Sequence, residues 1–246
     1  MKDSQDAYGH QLYDFFKGRP VVEVVERDDG LIDPRETLPK YYLSDYKDWN
    51  PREKSAARYV RGRVLDVGSG GGRWSLFLQK KGHDVLGIDI SPLAVKVCKE
   101  RGLRNVMVKS ISEVDSSLGK FDTILMMGNN FGLFGNPKQA RRLLKRFYHT
   151  TNPGARIITE SLDIYKPPVE PVHRQYHIRN RRRGRMRGQV RIRIRYLTYV
   201  SPWFDYLLVS KSEMIGILRG TGWKVKRFIA SKKGPAYVGV IEKEMK

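Results

Sequence analysis

The chain has 246 residues, enough for one sizeable core with a small appended subdomain. No apolar stretch approaches bilayer-spanning length, the opening MKDSQDAYGH has no signal-like segment, and the single cysteine, Cys98, excludes an intramolecular disulfide. A cytoplasmic, non-membrane protein is therefore expected, and its net charge of +21 points to polyanions or acidic small molecules as partners without bearing on fold.

In chain order, Tyr8, Leu12, Phe15 and Phe16 share one face at helical spacing, and Gly18 with Pro20 ends that helix. Val21 to Val25 reads as a short strand closed by an Asp29-Gly30 turn. Asn50 caps a second helix, with Pro51 at its first position and Glu53 placed for a capping box. Residues 1–60 are thus expected to form a lead-in, and residues 61–246 the main domain.

From residue 63 short buried runs alternate with amphipathic helices. The strands are expected at Arg63–Val67, Asp84–Asp89, Asn105–Lys109, Phe121–Met127 and Ala155–Thr159, with helices near 73–81, 92–101 and 137–149. Alternation of this kind implies a mostly parallel sheet with right-handed crossovers. After Glu160 the order breaks. Residues 161–189 are rich in Pro, Arg and polar side chains. Val190 to Val200 alternates apolar and arginine residues as one half-buried strand, turns at Ser201-Pro202, and returns over Trp203–Val209. Residues 161–209 therefore read as a basic insertion. A helix over Lys211–Arg219 and a hairpin of Lys224–Ile229 with Ala236–Ile241, turning around Lys233-Gly234-Pro235, close the chain.

The stretch RVLDVGSGGGRWSLFLQKKGHDVLGIDIS, Arg63 to Ser91, carries the chemistry. Ligands of open parallel sheets bind at the carboxyl ends of the strands, where Gly68-Ser69-Gly70-Gly71-Gly72 falls. Glycines there let backbone turn sharply and approach a ligand bare. A dinucleotide fingerprint from Gly68 and Gly70 needs a third glycine where Arg73 stands, so that reading is disfavoured. Asp89 ends the second run twenty-one residues after Gly68, where a carboxylate can take both hydroxyls of a ribose. Ser91 and Pro92 cap the next helix and fix that strand end.

Asp66-x-Gly68-x-Gly70-x-Gly72 followed by Asp89 resembles the first two motifs of class I S-adenosylmethionine-dependent methyltransferases. The resemblance implies a Rossmann-like, seven-stranded, mostly parallel α/β sheet with helices on both faces, a terminal antiparallel hairpin and, here, an inserted β-hairpin. It implies that Gly68, Ser69, Gly70 and Gly72 cradle the methionyl end of S-adenosylmethionine, Asp66 orients its ammonium, and Arg73 pairs with its carboxylate. Asp89 takes the ribose with Ile90 beside it, Ser110 and Ile111 reach the adenine, and Gly128 and Asn129 pass the methionine portion. Many relatives carry an acid where Ser110 stands, which leaves backbone or Glu113 for the adenine contact. "EMIGILRGTGWKVKRF" and "AYVGVIEK" resemble the family's closing elements.

The implied reaction is displacement at an already activated methyl, so alignment and water exclusion suffice and no triad is needed. Asn129 and Asn130 are candidate lining groups, and His173 and His177 candidate bases beside the substrate. Tyr41, Tyr42 and His10 are candidate lid residues, and no spacing suggests a metal. Arg174 to Arg195 holds ten arginines in twenty-two residues and no acid, with Tyr176, Tyr196 and Tyr199 in or beside the run. Arginine grips phosphate and stacks on bases, so this segment is a candidate polyanion surface. The expected acceptor is a small molecule. The alternatives are RNA methylation through the arginine segment, and a nucleic-acid-binding protein that keeps the fold without catalysis.

Overall fold

The computed structural model describes residues 1–35, 38–166, 170–230 and 234–244. In chain order the elements are α1 (Ala7–Phe16), β1 (Glu23–Arg27), β2 (Ile32–Arg35), α2 (Leu38–Leu43), α3 (Pro51–Ala57), β3 (Val64–Val67), α4 (Arg73–Lys80), β4 (Val85–Asp89), α5 (Pro92–Glu100) and β5 (Val106–Val108). There follow β6 (Phe121–Met126), α6 (Pro137–His149), β7 (Thr151–Leu162), α7 (Pro171–Arg182), β8 (Gln189–Tyr196), β9 (Tyr199–Val200), β10 (Phe204–Leu207), α8 (Lys211–Leu218), β11 (Trp223–Ala230) and β12 (Ala236–Lys243).

The main sheet has seven strands in the order β11-β12-β7-β6-β3-β4-β5. β4 with β5 and β6 with β7 run parallel, whereas β12 runs antiparallel to both β7 and β11. This is the expected α/β sheet with its terminal antiparallel hairpin; Lys233 of the hairpin turn lies outside the described residues. In sheets of this type ligands bind at the carboxyl ends of the strands.

The chain divides into two compact units. The first comprises Met1–Trp49, Leu65–Glu113 and Arg191–Phe204. Its core is organised by α5, whose two faces are both buried. Ala94 and Val97 pack on Leu12 of α1, while Val95 and Cys98 pack with Leu76, Leu103 and Val106. A helix apolar on two sides belongs between layers. Cys98 is fully buried, as expected. In a second cluster Trp49 packs tilted on Trp74 at 4.0 Å and Tyr46 stacks on Phe77 at 4.3 Å.

The other unit comprises Asn50–Val64, Val114–Val190 and Asp205–Lys246. Its long central strand β7 pairs with β6 and β12. Phe131, Phe134 and Phe147 pack in sequence, with centroids 5.0 and 6.1 Å apart. Trp223 Nε1 donates to the Leu144 carbonyl at 2.9 Å, so this large ring is buried without an orphaned donor. The Asn50 capping box forms as expected: Asn50 Oδ1 accepts from Glu53 N at 3.0 Å, and Glu53 Oε2 accepts from Asn50 N at 3.2 Å.

Two expectations are corrected, on the first strand and on the strand over 190–200, and two features appear that the sequence reading did not name. The first strand lies at Glu23–Arg27 rather than 21–25, and it forms a hairpin with β2. Residues 161–189 are not without elements. β7 continues to Leu162, and α7 starts with Pro171 at its first position, where a missing N–H costs nothing. Arginine is a good helix former, which the polar composition concealed. The strand expected over 190–200 stops at Tyr196, reverses through Leu197-Thr198, and returns as β9. Leu197 adopts φ 49° there and is 78% exposed; leucine gives no turn signal. Finally, β8 pairs antiparallel with β1, Val24 opposite Arg195, so residues flagged separately at the two ends of the sequence share one sheet. Among the described residues, no helix is long and apolar enough to cross a membrane.

Candidate active site

β3 is buried at all four positions, and Asp66 within it is 3% exposed. The strand ends at Gly68, and the loop to α4 needs left-handed backbone at Gly68, Gly70 and Gly72, with φ of 72°, 53° and 79°. Residues with a Cβ avoid that region, so three glycines are a geometric requirement here. The loop is knotted to the neighbouring strand end. The N–H groups of Gly68 and Ser69 both donate to the Ile88 carbonyl, at 2.9 and 3.0 Å. Gly70 N donates to Asp89 Oδ2 at 2.8 Å, and Ser91 N donates to Asp89 Oδ1 at 3.0 Å. Each carboxylate oxygen therefore accepts one backbone bond and keeps acceptor capacity for a ligand hydroxyl.

The α5 N-terminus is fixed as the sequence implied: Ser91 Oγ accepts from Ala94 N at 2.9 Å. An unexpected residue joins it. Asp6 caps α1 by accepting from Gly9 N at 3.0 Å, and its other oxygen accepts from Ser91 Oγ at 2.8 Å and Leu93 N at 3.2 Å. One buried carboxylate thus serves two helix N-termini, where negative charge is favoured.

The N-terminal segment packs directly on the glycines. A Cβ at Gly70 would meet Tyr8 Oη at 2.6 Å, and one at Gly71 would meet Leu43 Cδ2 at 2.3 Å. Tyr8 and Tyr42 pack edge to face at 5.3 Å, and Tyr42 Oη donates to the buried Glu23 at 3.3 Å. Arg101 donates to the carbonyls of Gly71 and Leu43, tying loop and segment together. Cys98 Sγ donates to the Gly70 carbonyl at 3.0 Å. Arg73, at the start of α4, has its guanidinium 4.0 Å from the Tyr41 ring and 4.7 Å from the Trp49 ring. His10 stacks on Tyr199 at 3.5 Å.

Burial pushes the Asp66 carboxyl up to about 6; Ser75 Oγ, donating at 2.6 Å, opposes the shift, and the Asp89 charge adds to it. Burial likewise raises Asp89 to about 6, against the N–H groups of Ser91 and Gly70, with the Asp6 charge raising it further. Asp6 is itself raised by burial. Buried acids held against their ionised form favour a cationic ligand, and a sulfonium bearing an ammonium is one. The bare loop, the partly unused Asp89 oxygens and these acids fit S-adenosylmethionine.

The remaining predicted residues fall as follows. Ile90 follows Asp89 and is 56% exposed. Lys109 N donates to the Asp89 carbonyl, which sets Ser110 and Ile111 at the adjacent tip. Ser110 N donates to Glu113 Oε2 at 2.8 Å, turning the chain into a short 3-10 helix at Ile111–Glu113.

In the other unit, Gly128 and Asn129 follow β6. Their N–H groups donate to Glu160 Oε2 at 2.9 and 3.3 Å, and Arg52 donates to Glu160 Oε1 at 2.5 Å. Asn129 is left-handed at φ 64°, its carbonyl accepts from Tyr206 Oη at 2.7 Å, and its buried Oδ1 has no hydrogen-bond partner among the described residues. Asn130 opens the 3-10 helix Asn130–Phe134. His173 and His177 sit one turn apart on α7, and His173 Nε2 lies 3.9 Å from Glu170 Oε2. Sequence reasoning missed Glu160, Arg52 and Tyr206. The signal for Glu160 was present: it is a lone acid closing the apolar run "ARIITES", the pattern that drew attention to Asp89.

Residues 64–154 match the family model for a methyltransferase domain. Over 146 residues the chain is 30% identical to the glycine/sarcosine N-methyltransferase of Halorhodospira halochloris, covering 54% of this chain and 52% of that protein. Over 72 residues it is 40% identical to the 2-heptyl-1-hydroxyquinolin-4(1H)-one methyltransferase of Mycobacteroides abscessus, covering 27% of this chain and 32% of that one. The chain thus spans about half or less of the length of these relatives. A S-adenosylmethionine-dependent methyltransferase from Bacteroides fragilis, solved in complex with S-adenosylhomocysteine, has the same fold, with a TM-score of 0.82 at 24% identity over 100% of this chain and 98% of that one. Residues 64–154 are therefore similar to a methyltransferase domain, and the chain has the fold of S-adenosylmethionine-dependent methyltransferases.

Proposed function

We propose that this chain transfers a methyl group from S-adenosylmethionine to a small acceptor. The observation that carries the reading is the bond from Gly70 N to Asp89 Oδ2, which locks a bare-backbone loop to a buried acid at the neighbouring strand tip. In this proposal Gly68, Ser69, Gly70 and Gly72 take the methionyl end, Asp66 favours its ammonium and Arg73 its carboxylate. Asp89 takes the ribose hydroxyls, and Ile90, Ser110 and Ile111 flank the adenine. Gly128 and Asn129, held by Glu160, take the methionine portion, and the unsatisfied Asn129 Oδ1 is an acceptor for a ligand N–H.

When bound, S-adenosylmethionine supplies a methyl already activated by its sulfonium. The residues need only align the nucleophile and exclude water. Asn129, Asn130, His173 and His177 remain the proposed groups for orienting an acceptor, with a base required only where the nucleophile carries a proton at neutral pH. Residues 1–60 serve as lead-in and lid to a domain over 61–246 with its insertion at 161–209; the packing of Tyr8 and Leu43 on the loop supports the lid. The small acceptor is supported by the names of the two relatives, whose substrates are an amino acid and a hydroxyquinolone. A cytoplasmic setting is part of the same proposal.

The test is calorimetric titration with S-adenosylmethionine, followed by transfer of a labelled methyl to a panel of amines, hydroxylated heteroaromatics and total RNA. Label on a small compound supports the reading, label on RNA alone replaces the acceptor class, and absence of cofactor binding removes the reading.

A further inference from the structure

The ten arginines between Arg174 and Arg195 divide into two groups. In and beside β8 they are engaged. Arg193 Nε and Nη2 donate to Glu26 at 2.7 and 3.0 Å, and Arg195 donates to the same carboxylate. Arg193 also lies over the Trp203 ring at 4.6 Å. Arg185 Nη2 donates to Asp205 Oδ1 at 2.9 Å, and Arg187 lies over the Tyr165 ring at 5.5 Å. These arginines fasten strands and loops. On α7 and its C-cap the pattern differs. Arg174, Arg181, Arg182 and Arg183 are exposed and Arg179 is half-buried, and none of the five has an ion pair among the described residues.

The helix is anchored from one side. Tyr176 and Asn180, four residues apart, are its buried positions, and Asn180 Nδ2 donates to the carbonyls of Gln189 at 2.7 Å and Arg187 at 3.1 Å. At about 100° per residue the five arginines occupy the remaining arc, roughly half the circumference. Gln175, Ile178, Arg179, Arg182 and Arg183 line an open groove on it, and Ile178 is the one apolar side chain in that lining.

We propose that this outward face of α7 docks the phosphate backbone of a single-stranded RNA. The face offers charge and hydrogen-bond donors, with Ile178 as the one apolar side chain in its groove. Protein interfaces are built on a cluster of aromatic or aliphatic side chains, and membrane-surface helices bury a whole apolar face; in this groove Ile178 stands alone among four polar side chains. A phosphate backbone asks only for cations and donors, which guanidinium forks provide. Cations spread around half a helix suit a strand flexible enough to follow them, whereas a stiff duplex reaches only the side it faces. The inference stands whatever small acceptor the methyltransferase domain uses.

The test is fluorescence anisotropy of a fluorescein-labelled 20-nucleotide oligouridylate against the full chain at 50 to 300 mM KCl. Saturable binding is expected, with log Kd rising with log salt at a slope of about 3, as four or five phosphate contacts on a single strand require. R181E/R182E/R183E is expected to weaken binding at least tenfold at 100 mM KCl. K138E/R142E/K145E, the same charge change on α6, should weaken it by less than threefold. R174Q/R179Q/R181Q/R182Q, which keeps good helix formers, should weaken it at least fivefold. S-adenosylmethionine affinity in every variant should stay within twofold of the parent, so this inference and the cofactor reading fail separately. Absence of saturation at 50 mM KCl, equal losses in both triple variants, or tighter binding to duplex DNA or anionic phospholipid vesicles would overturn the proposal.

Discussion

Between Gly68 and Asp89 the chain sheds side chains, and its polar groups turn inward: Asp66 to Ser75, Asp89 to Gly70 and Ser91. Between Arg174 and Arg195 it accumulates side chains of one charge, and these split between ion pairs in and beside β8 and an outward array on α7. Both stretches are extremes of composition, yet composition means something different in each. In the first, left-handed backbone and close packing leave few residues that fit, so the sequence reports geometry directly. In the second, each arginine is defined by whether a carboxylate reaches it, and Glu26 stands 167 residues away from Arg193.

The contrast can be broken experimentally at either end. The largest effect is expected at Gly70. Its φ of 53° and the 2.6 Å approach of Tyr8 Oη leave no room for a branched side chain. Gly70→Val should weaken S-adenosylmethionine binding a hundredfold or more in a calorimetric titration, and a loss under threefold would mean that the loop does not cradle the ligand. A smaller effect is expected from pH. Because the folded carboxyls of Asp66 and Asp89 are raised to about 6, their neutral forms stabilise the ligand-free chain fully below about 3.8, and that stability is lost as pH rises through about 6. A cationic ligand needs the ionised forms, so affinity should fall about fourfold per acid between pH 7.5 and 5.5. The rise in melting temperature on adding S-adenosylmethionine should shrink in the same window. A flat profile would leave both acids outside the site.

The smallest effect belongs to the arginine side. Hydrogen bonds from Arg193, then Arg195, and both positive charges hold Glu26 down to about 2, so its contribution is present above about 4.5 and is lost as pH falls through about 2. The pair is partly exposed, so Glu26→Gln should cost about 1 kcal/mol at pH 7, or roughly 2–4 °C in melting temperature. Cofactor affinity should stay within twofold. A drop in affinity instead would show that the β1–β8 ion pairs act on the cofactor site.

What could be read in advance follows from the same distinction. The strand–helix alternation from Val64 onward, the glycine loop, the Ser91-Pro92 start of α5 and the Asn50 capping box all obey rules operating within one turn or one strand. Each was legible because its cause lies within a few residues. The pairing of β1 with β8, the double capping by Asp6 and the grip of Glu160 on Gly128 and Asn129 depend on which distant segment arrives, and no local period encodes that. Two misses have local causes of a different kind. Leu197 turns the chain without a turn residue, and α7 lies in a stretch described only by its polar composition although arginine favours helices. Glu160 stands between these cases, since its position at the end of an apolar strand could have been matched to Asp89.

The central claim is that the acid at the tip of β4 holds the ribose of S-adenosylmethionine beside the glycine loop. Isothermal titration of the parent chain and Asp89→Ala with this compound, at pH 7.5 and with matched melting curves, tests it most directly. At least a tenfold weaker affinity in a variant that still melts cooperatively is predicted. An unchanged affinity in the same folded variant would contradict the assignment.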